Sequence, residues 1–121
     1  MSDESPSPSP GIGELQNRVD DWISQWEEGY WKPLSNLARL TEEVGELARL
    51  LNLRHGEKVE KSGDLAPGGS DDAVAEELGD ILFVVIVIAN SLDVDLERAL
   101  EDVLQKYDVR DGDRWTAADD A

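Results

Sequence analysis

The chain has 121 residues, 28 of them acidic against 11 basic, a net charge of −17 and no cysteine. That length suits one domain, and the missing cysteine excludes disulfides and thiolate metal sites. So large a negative charge opposes binding to nucleic acid or to an anionic membrane surface, since both would repel it; a small anionic ligand stays open, because a bound metal ion inverts the local field.

Met1 to Pro10 is acidic and rich in serine and proline. It lacks the basic patch and apolar stretch of a signal peptide, so a disordered tail over residues 1–11 is expected. Ile12, Leu15, Val19, Trp22, Ile23 and Trp26 then fall at i, i+3, i+4 spacing, which predicts an amphipathic helix from Gly13 to Glu28 ended by Gly29. Tyr30 to Pro33 forms a connector. The stripe Leu37, Leu40, Val44, Leu47, Ala48 and Leu51 predicts a second helix from about Leu34 to Arg54, stopped at His55-Gly56. Residues 56–70 are glycine-rich and polar and read as a mobile loop that carries Lys58 and Lys61.

Ser70 or Asp71 is placed to cap a third helix running to about Ser91. Ile81 to Ala89 is β-branched enough to read as a buried strand by propensity alone, but the carboxylates before it have helical spacing, which favours helix. This run of nine residues is too short for a bilayer, which needs about 20. A soluble cytoplasmic protein is expected. Asp93 or Asp95 can cap a fourth helix over about 95–107, with Leu96, Ala99, Leu100, Val103 and Leu104 as its stripe. The fold class is all-α, a four-helix bundle spanning 12–116 with a short tail at 117–121. The third helix is apolar on more than one side, which predicts oligomerisation through the central helices.

One pattern points to chemistry. Residues 42–46 read E-E-V-G-E and residues 76–80 read E-E-L-G-D, one pentad on each central helix. Each places a carboxylate pair at i, i+3: Glu43 with Glu46, and Glu77 with Asp80. The arrangement is costly. Like charges at this spacing repel, Gly45 and Gly79 each cost a helix interior roughly 1 kcal/mol against alanine, and Glu77 falls in the apolar sector. A solvated acidic face explains one such pentad readily. Two pentads beside apolar stripes favour a metal site, with the glycines expected to let the helices approach closely. Oxygen ligands without histidine or cysteine select magnesium, with manganese as the alternative, and magnesium commonly shares its shell with substrate phosphates.

These residues resemble the all-α nucleoside triphosphate pyrophosphohydrolases, which include MazG proteins, dimeric dUTPases and phosphoribosyl-ATP pyrophosphohydrolase. The likeness is closest to the small single-domain MazG-like group. It is carried by GYWKPLSNLARLTEEVGELAR (29–49), EELGDILFVVIVIANSLDVDLERAL (76–100) and KYDVRDGDRW (106–115), and covers roughly residues 13–116. The resemblance implies magnesium on Glu43, Glu46, Glu77 and Asp80, with Glu42 binding a further metal or positioning the attacking water. It also implies a homodimer or a dimer of dimers with sites at the subunit interface, acting on a nucleoside triphosphate in house-cleaning of the nucleotide pool. Alternatives are a dedicated dUTP or dCTP pyrophosphatase and a non-enzymatic acidic regulatory bundle.

Secondary candidates for substrate contact are weaker. Lys106, Arg110 and Arg114 form a basic cluster that either meets phosphates or pairs with surface acids. Asn90 either caps a helix end or touches ligand. Trp22, Trp26, Tyr30 and Trp31 offer base stacking or core packing, with Trp31 the candidate contact. His55 marks a helix end.

Overall fold

The structure, a computed structural model, describes residues 8–55 and 70–118. The expectations for residues 1–7, for the loop 56–69 with Lys58 and Lys61, and for the last three residues lie outside these. The apolar periodicity is realised as four helices, α1 (Ile12–Ser24), α2 (Pro33–Arg54), α3 (Asp71–Ser91) and α4 (Leu96–Asp111), and the described residues contain no strand. The β-branched run of α3 is helical because its side chains fill the middle of the molecule. Val84, Ile86, Val87 and Ala89 are buried, joined by Ile23 of α1 and Leu50 of α2. Each fully buried aliphatic side chain of this size contributes about 1.5–3 kcal/mol, more than the few tenths by which β-branching disfavours a helix.

The helix ends follow local chemistry. Pro33 opens α2, where its missing N–H costs nothing. Ser70 caps α3, its hydroxyl accepting from the Ala73 N–H, and Asp71 and Asp72 follow in the first turn, at the positive end of the helix dipole. Asp95 caps α4 by accepting from the N–H groups of Glu97 and Arg98. Asp93 has φ of 57°, a left-handed residue just past α3, where Asp is tolerated and Gly is usual.

Two helix ends differ from expectation. α1 stops at Ser24 rather than Glu28, the Trp26 N–H turning back to the Ile23 carbonyl. Gly29, with φ of +64°, instead makes the left-handed turn of the connector. α4 runs on to Asp111, one turn beyond the expected end, because no breaker precedes Gly112 and Arg110 suits the negative end of the helix dipole.

α2 and α3 make the main packing seam; α1 lies across α3 and holds α4. A single amide organises the second junction. The buried Gln16 side chain donates to Asn90 Oδ1 (3.0 Å) and to the Val94 carbonyl (2.9 Å), and accepts from the Leu96 N–H (2.9 Å). Asn90 Nδ2 returns a bond to the Gln16 carbonyl (3.0 Å). α1 is thereby tied to the end of α3 and the start of α4. Removing the amide strands several of these groups, at about 1–3 kcal/mol for each one left unsatisfied. Gln16→Leu is therefore expected to lower the unfolding free energy in urea by about 2–4 kcal/mol. Asn17→Ala, on the exposed side of the same turn, is expected to change it by less than about 0.5 kcal/mol.

Candidate metal centre

α2 and α3 run antiparallel, Arg54 near the end of α2 pairing with Asp71 at the start of α3, and their shared seam brings Glu43 of α2 to Glu77 of α3. Helical spacing sets Asp80 one turn beyond Glu77 on the same face. One carboxylate oxygen from each of Glu43, Glu77 and Asp80 lies within 4.8 Å of the others. Glu77 is only 8% exposed, and its Oε1 is buried without a hydrogen-bond partner. Burial first, then hydrogen bonding and repulsion from Glu43, then repulsion from Asp80 and Glu46, push its carboxyl up to about 7.

Such a cluster is unfavourable unless a cation joins it. Its donors are all hard oxygens, three carboxylates face one point, and a buried oxygen lacks a partner. These residues fit a small divalent ion.

The other pentad residues lie around this group. Glu46 accepts from Arg49 at 2.5 and 3.0 Å, and that hydrogen bond holds its carboxyl below the usual carboxylate range. Its nearest fixed charge is therefore Arg49, one turn along α2, and it stands outside the tight trio. Glu42 is exposed on α2, one residue before Glu43. The glycines do not act as expected. A Cβ at Gly45 or Gly79 would meet nothing within 4 Å, so neither mediates close packing within the chain. Each sits two residues from a seam carboxylate, roughly opposite it on the helix.

The remaining candidates divide between two places. Trp31 joins Trp22, Ile23, Trp26, Tyr30, Phe83 and Val87 around a cavity of about 190 Å³. Trp22 makes edge-to-face contacts with Trp26 and Phe83, each at 6.0 Å between ring centroids. Phe83, one turn past Asp80, ties this cavity to the helix that carries Glu77 and Asp80, though none of the trio lines it. The Tyr30 hydroxyl donates to Asp20 (2.5 Å), which pins the connector to α1. Burial first, then the Asp20 carboxylate, raise the Tyr30 phenol above its ordinary value.

Lys106 and Arg110 lie instead on α4, which packs chiefly on α1. Both cations stack on the Tyr107 ring, at 5.2 and 4.9 Å, and Arg110 and Arg114 pair with Asp111. Within the chain they are not joined to the carboxylate trio. Asn90 is held by Gln16. Three residues around these two places escaped the sequence reading. They are Arg39, which contacts Glu43 Oε1 at 3.5 Å, Phe83, and Asn36, buried with its Oδ1 unpartnered. The i, i+4 spacing of Arg39 and Glu43 was the available signal for the first.

Because folding raises the Glu77 value above its ordinary 4.5, the folded chain binds the proton more tightly than the unfolded chain does. That contribution to stability is complete below about pH 4.5 and is lost as pH rises through about 7. In the presence of chelator, Glu77→Gln is therefore expected to melt above wild type at pH 8, with the gap closing towards pH 5. A Glu77→Gln melting temperature at or below wild type at pH 8 would show that burial does not burden this carboxylate.

Known proteins resemble this chain over most of its length. The family described as the MazG nucleotide pyrophosphohydrolase domain matches residues 32–115, which include both pentads. The Bacillus subtilis (strain 168) protein YpjD is 50% identical over 103 residues, covering 85% of this chain and 88% of its own length. Two solved structures resemble the fold. One, described as the Bacillus-conserved MazG protein, a nucleotide pyrophosphohydrolase, has a TM-score of 0.70 at 44% identity and covers 88% of this chain and 98% of its own. The other is the Bacillus subtilis YPJD structure, with a TM-score of 0.69, 45% identity and the same coverage. With most of its helical region matched by the family and both pentads inside the match, the chain belongs to the MazG nucleotide pyrophosphohydrolase family and is a hydrolase.

Proposed function

We propose that this protein is a magnesium-dependent nucleoside triphosphate pyrophosphohydrolase. It cleaves a canonical or non-standard (deoxy)nucleoside triphosphate to the monophosphate and pyrophosphate, in house-cleaning of the cytoplasmic nucleotide pool. The observation that carries this reading is the buried Glu77 carboxylate, one oxygen without a partner, facing Glu43 and Asp80. Glu43, Glu46, Glu77 and Asp80 would hold the ion, Glu46 by giving up its hydrogen bonds to Arg49. A bound divalent ion neutralises triphosphate charge and lowers the pKa of water.

Glu42, exposed beside Glu43, orients the attacking water and accepts its proton. The water oxygen bonds to the α-phosphorus, the bridge from that phosphorus to the β-phosphate oxygen breaks, and pyrophosphate leaves with the electron pair. The aromatic cavity takes the base, with Trp31 as one wall. Lys106 and Arg110, remote within one chain, meet phosphates only across a subunit boundary.

Assembly is supported by the outward face of the central helices. Leu37, Val44 and Leu51 repeat every seven residues along α2, each at least 40% exposed, and Leu78 and Leu82 are half-exposed on α3. Gly45 and Gly79 open onto free space near this face. An apolar stripe of this kind suits a second copy.

Three outcomes are expected. Pyrophosphate release from a panel of nucleoside triphosphates requires magnesium. Asp80→Ala and Glu46→Ala each lower turnover on the order of 10²–10³-fold while circular dichroism stays helical. Unchanged turnover in either variant removes that residue from the site, and no release from any triphosphate favours the acidic regulatory bundle. In light scattering, wild type is larger than one chain and Leu37→Asp/Leu51→Asp shifts to the monomer.

A further inference from the structure

Arg39 stands where the two halves of the site meet. It lies on α2 one turn before Glu43, and its Nε is 3.5 Å from Glu43 Oε1. The same guanidinium lies 5.6 Å from the centroid of the Trp31 ring, over its face. One cationic group therefore spans from the wall of the aromatic cavity to the carboxylate trio. The chain that carries it has a net charge of −17.

Neither contact holds it strongly. The Arg39 side chain is 43% exposed, and an i, i+4 ion pair along a helix favours its partners by only about two-fold. A divalent ion on Glu43 would replace the arginine as the counter-charge of that carboxylate. The planar guanidinium would then be released beside a phosphate chain, which it matches with two parallel N–H donors. Stacking on Trp31 needs no surrender of this role, because the face of the guanidinium meets the ring while its edge carries the donors.

The geometry points to Arg39 as a phosphate-binding residue of the substrate site, held in reserve on Glu43 until a divalent ion takes that carboxylate. This rests on the hydrolase reading above. The substrate moiety is the charged stretch between base and metal, which any nucleoside triphosphate shares, so Arg39 contributes affinity without choosing the base.

The test uses inorganic tripolyphosphate, which has phosphates but no base, with isothermal titration of the full chain. Magnesium is titrated first, then tripolyphosphate at saturating magnesium, for wild type, Arg39→Gln, Arg39→Lys and Arg98→Gln, the last being a control on α4. Arg39→Gln is expected to bind magnesium as tightly as wild type or up to about two-fold tighter, and tripolyphosphate at least about tenfold more weakly. Arg39→Lys should recover part of that loss, since lysine offers the charge without the fork, and Arg98→Gln should match wild type. A folded Arg39→Gln that binds tripolyphosphate within two-fold of wild type overturns the assignment of Arg39 and leaves the hydrolase reading standing. A wild type that binds no tripolyphosphate with magnesium sinks the hydrolase reading itself, and this assignment with it.

Discussion

The carboxylate of Glu77 is placed where a folded protein ordinarily admits only apolar groups, between two helices and two turns from the residues that fill the interior. Moving an ionised carboxylate out of water is expensive, and two further acids make it more so. The packing of α3 holds the acid there. The face that presents Glu77 continues into Val84 and Val87, both almost fully buried. Turning the helix to expose the acid would expose those side chains as well. Packing thus holds the acid in an unfavourable place, and that tension is what makes the seam a receptor for a small cation.

The rest of the molecule supports this seam. α1 covers the other side of α3, and the Gln16 amide locks α1 to the turn that follows α3, so the long apolar helix is fixed both laterally and at its end. α4 completes this support by resting on α1. Polar networks of this kind specify one arrangement when every member is satisfied. The Gln16 side chain meets that condition, with both of its donated bonds and its accepted bond made inside the junction.

Much of this was legible in the sequence, for reasons that can be named. The helices follow from period-3.6 stripes, the caps at Ser70 and Asp95 from residue type, and the trio Glu43, Glu77 and Asp80 from two pentads on adjacent helices. What escaped was whatever depends on neighbours distant in the chain. Gln16 reads as an ordinary surface glutamine until Val94 and Leu96 are folded against it. Gly45 and Gly79 suggest close packing, yet which side of a helix a glycine occupies is decided by its partners. The α1 terminus was misjudged because Trp26 belongs to the apolar pattern while its backbone has already left the helix. Glu46 and Glu43 carry the same local signal, yet Glu43 is the more buried and meets Glu77 and Asp80, while Glu46 stands outside and pairs with Arg49.

The connector between α1 and α2 has a bearing on how such proteins diversify. Residues 25–32 contribute Trp26, Glu28, Gly29, Tyr30 and Trp31 to the aromatic cavity and none to the carboxylate trio. Tyr30 moors the segment to Asp20 on α1, with no bond to the acids of α2 or α3. Loops attached to a rigid scaffold tolerate change more readily than the elements they join. Exchanges in these eight positions can remodel the cavity wall while the acids of α2 and α3 keep their places. Under the proposed reading, one hydrolytic apparatus could be redirected from nucleotide to nucleotide by rewriting a single short stretch of chain.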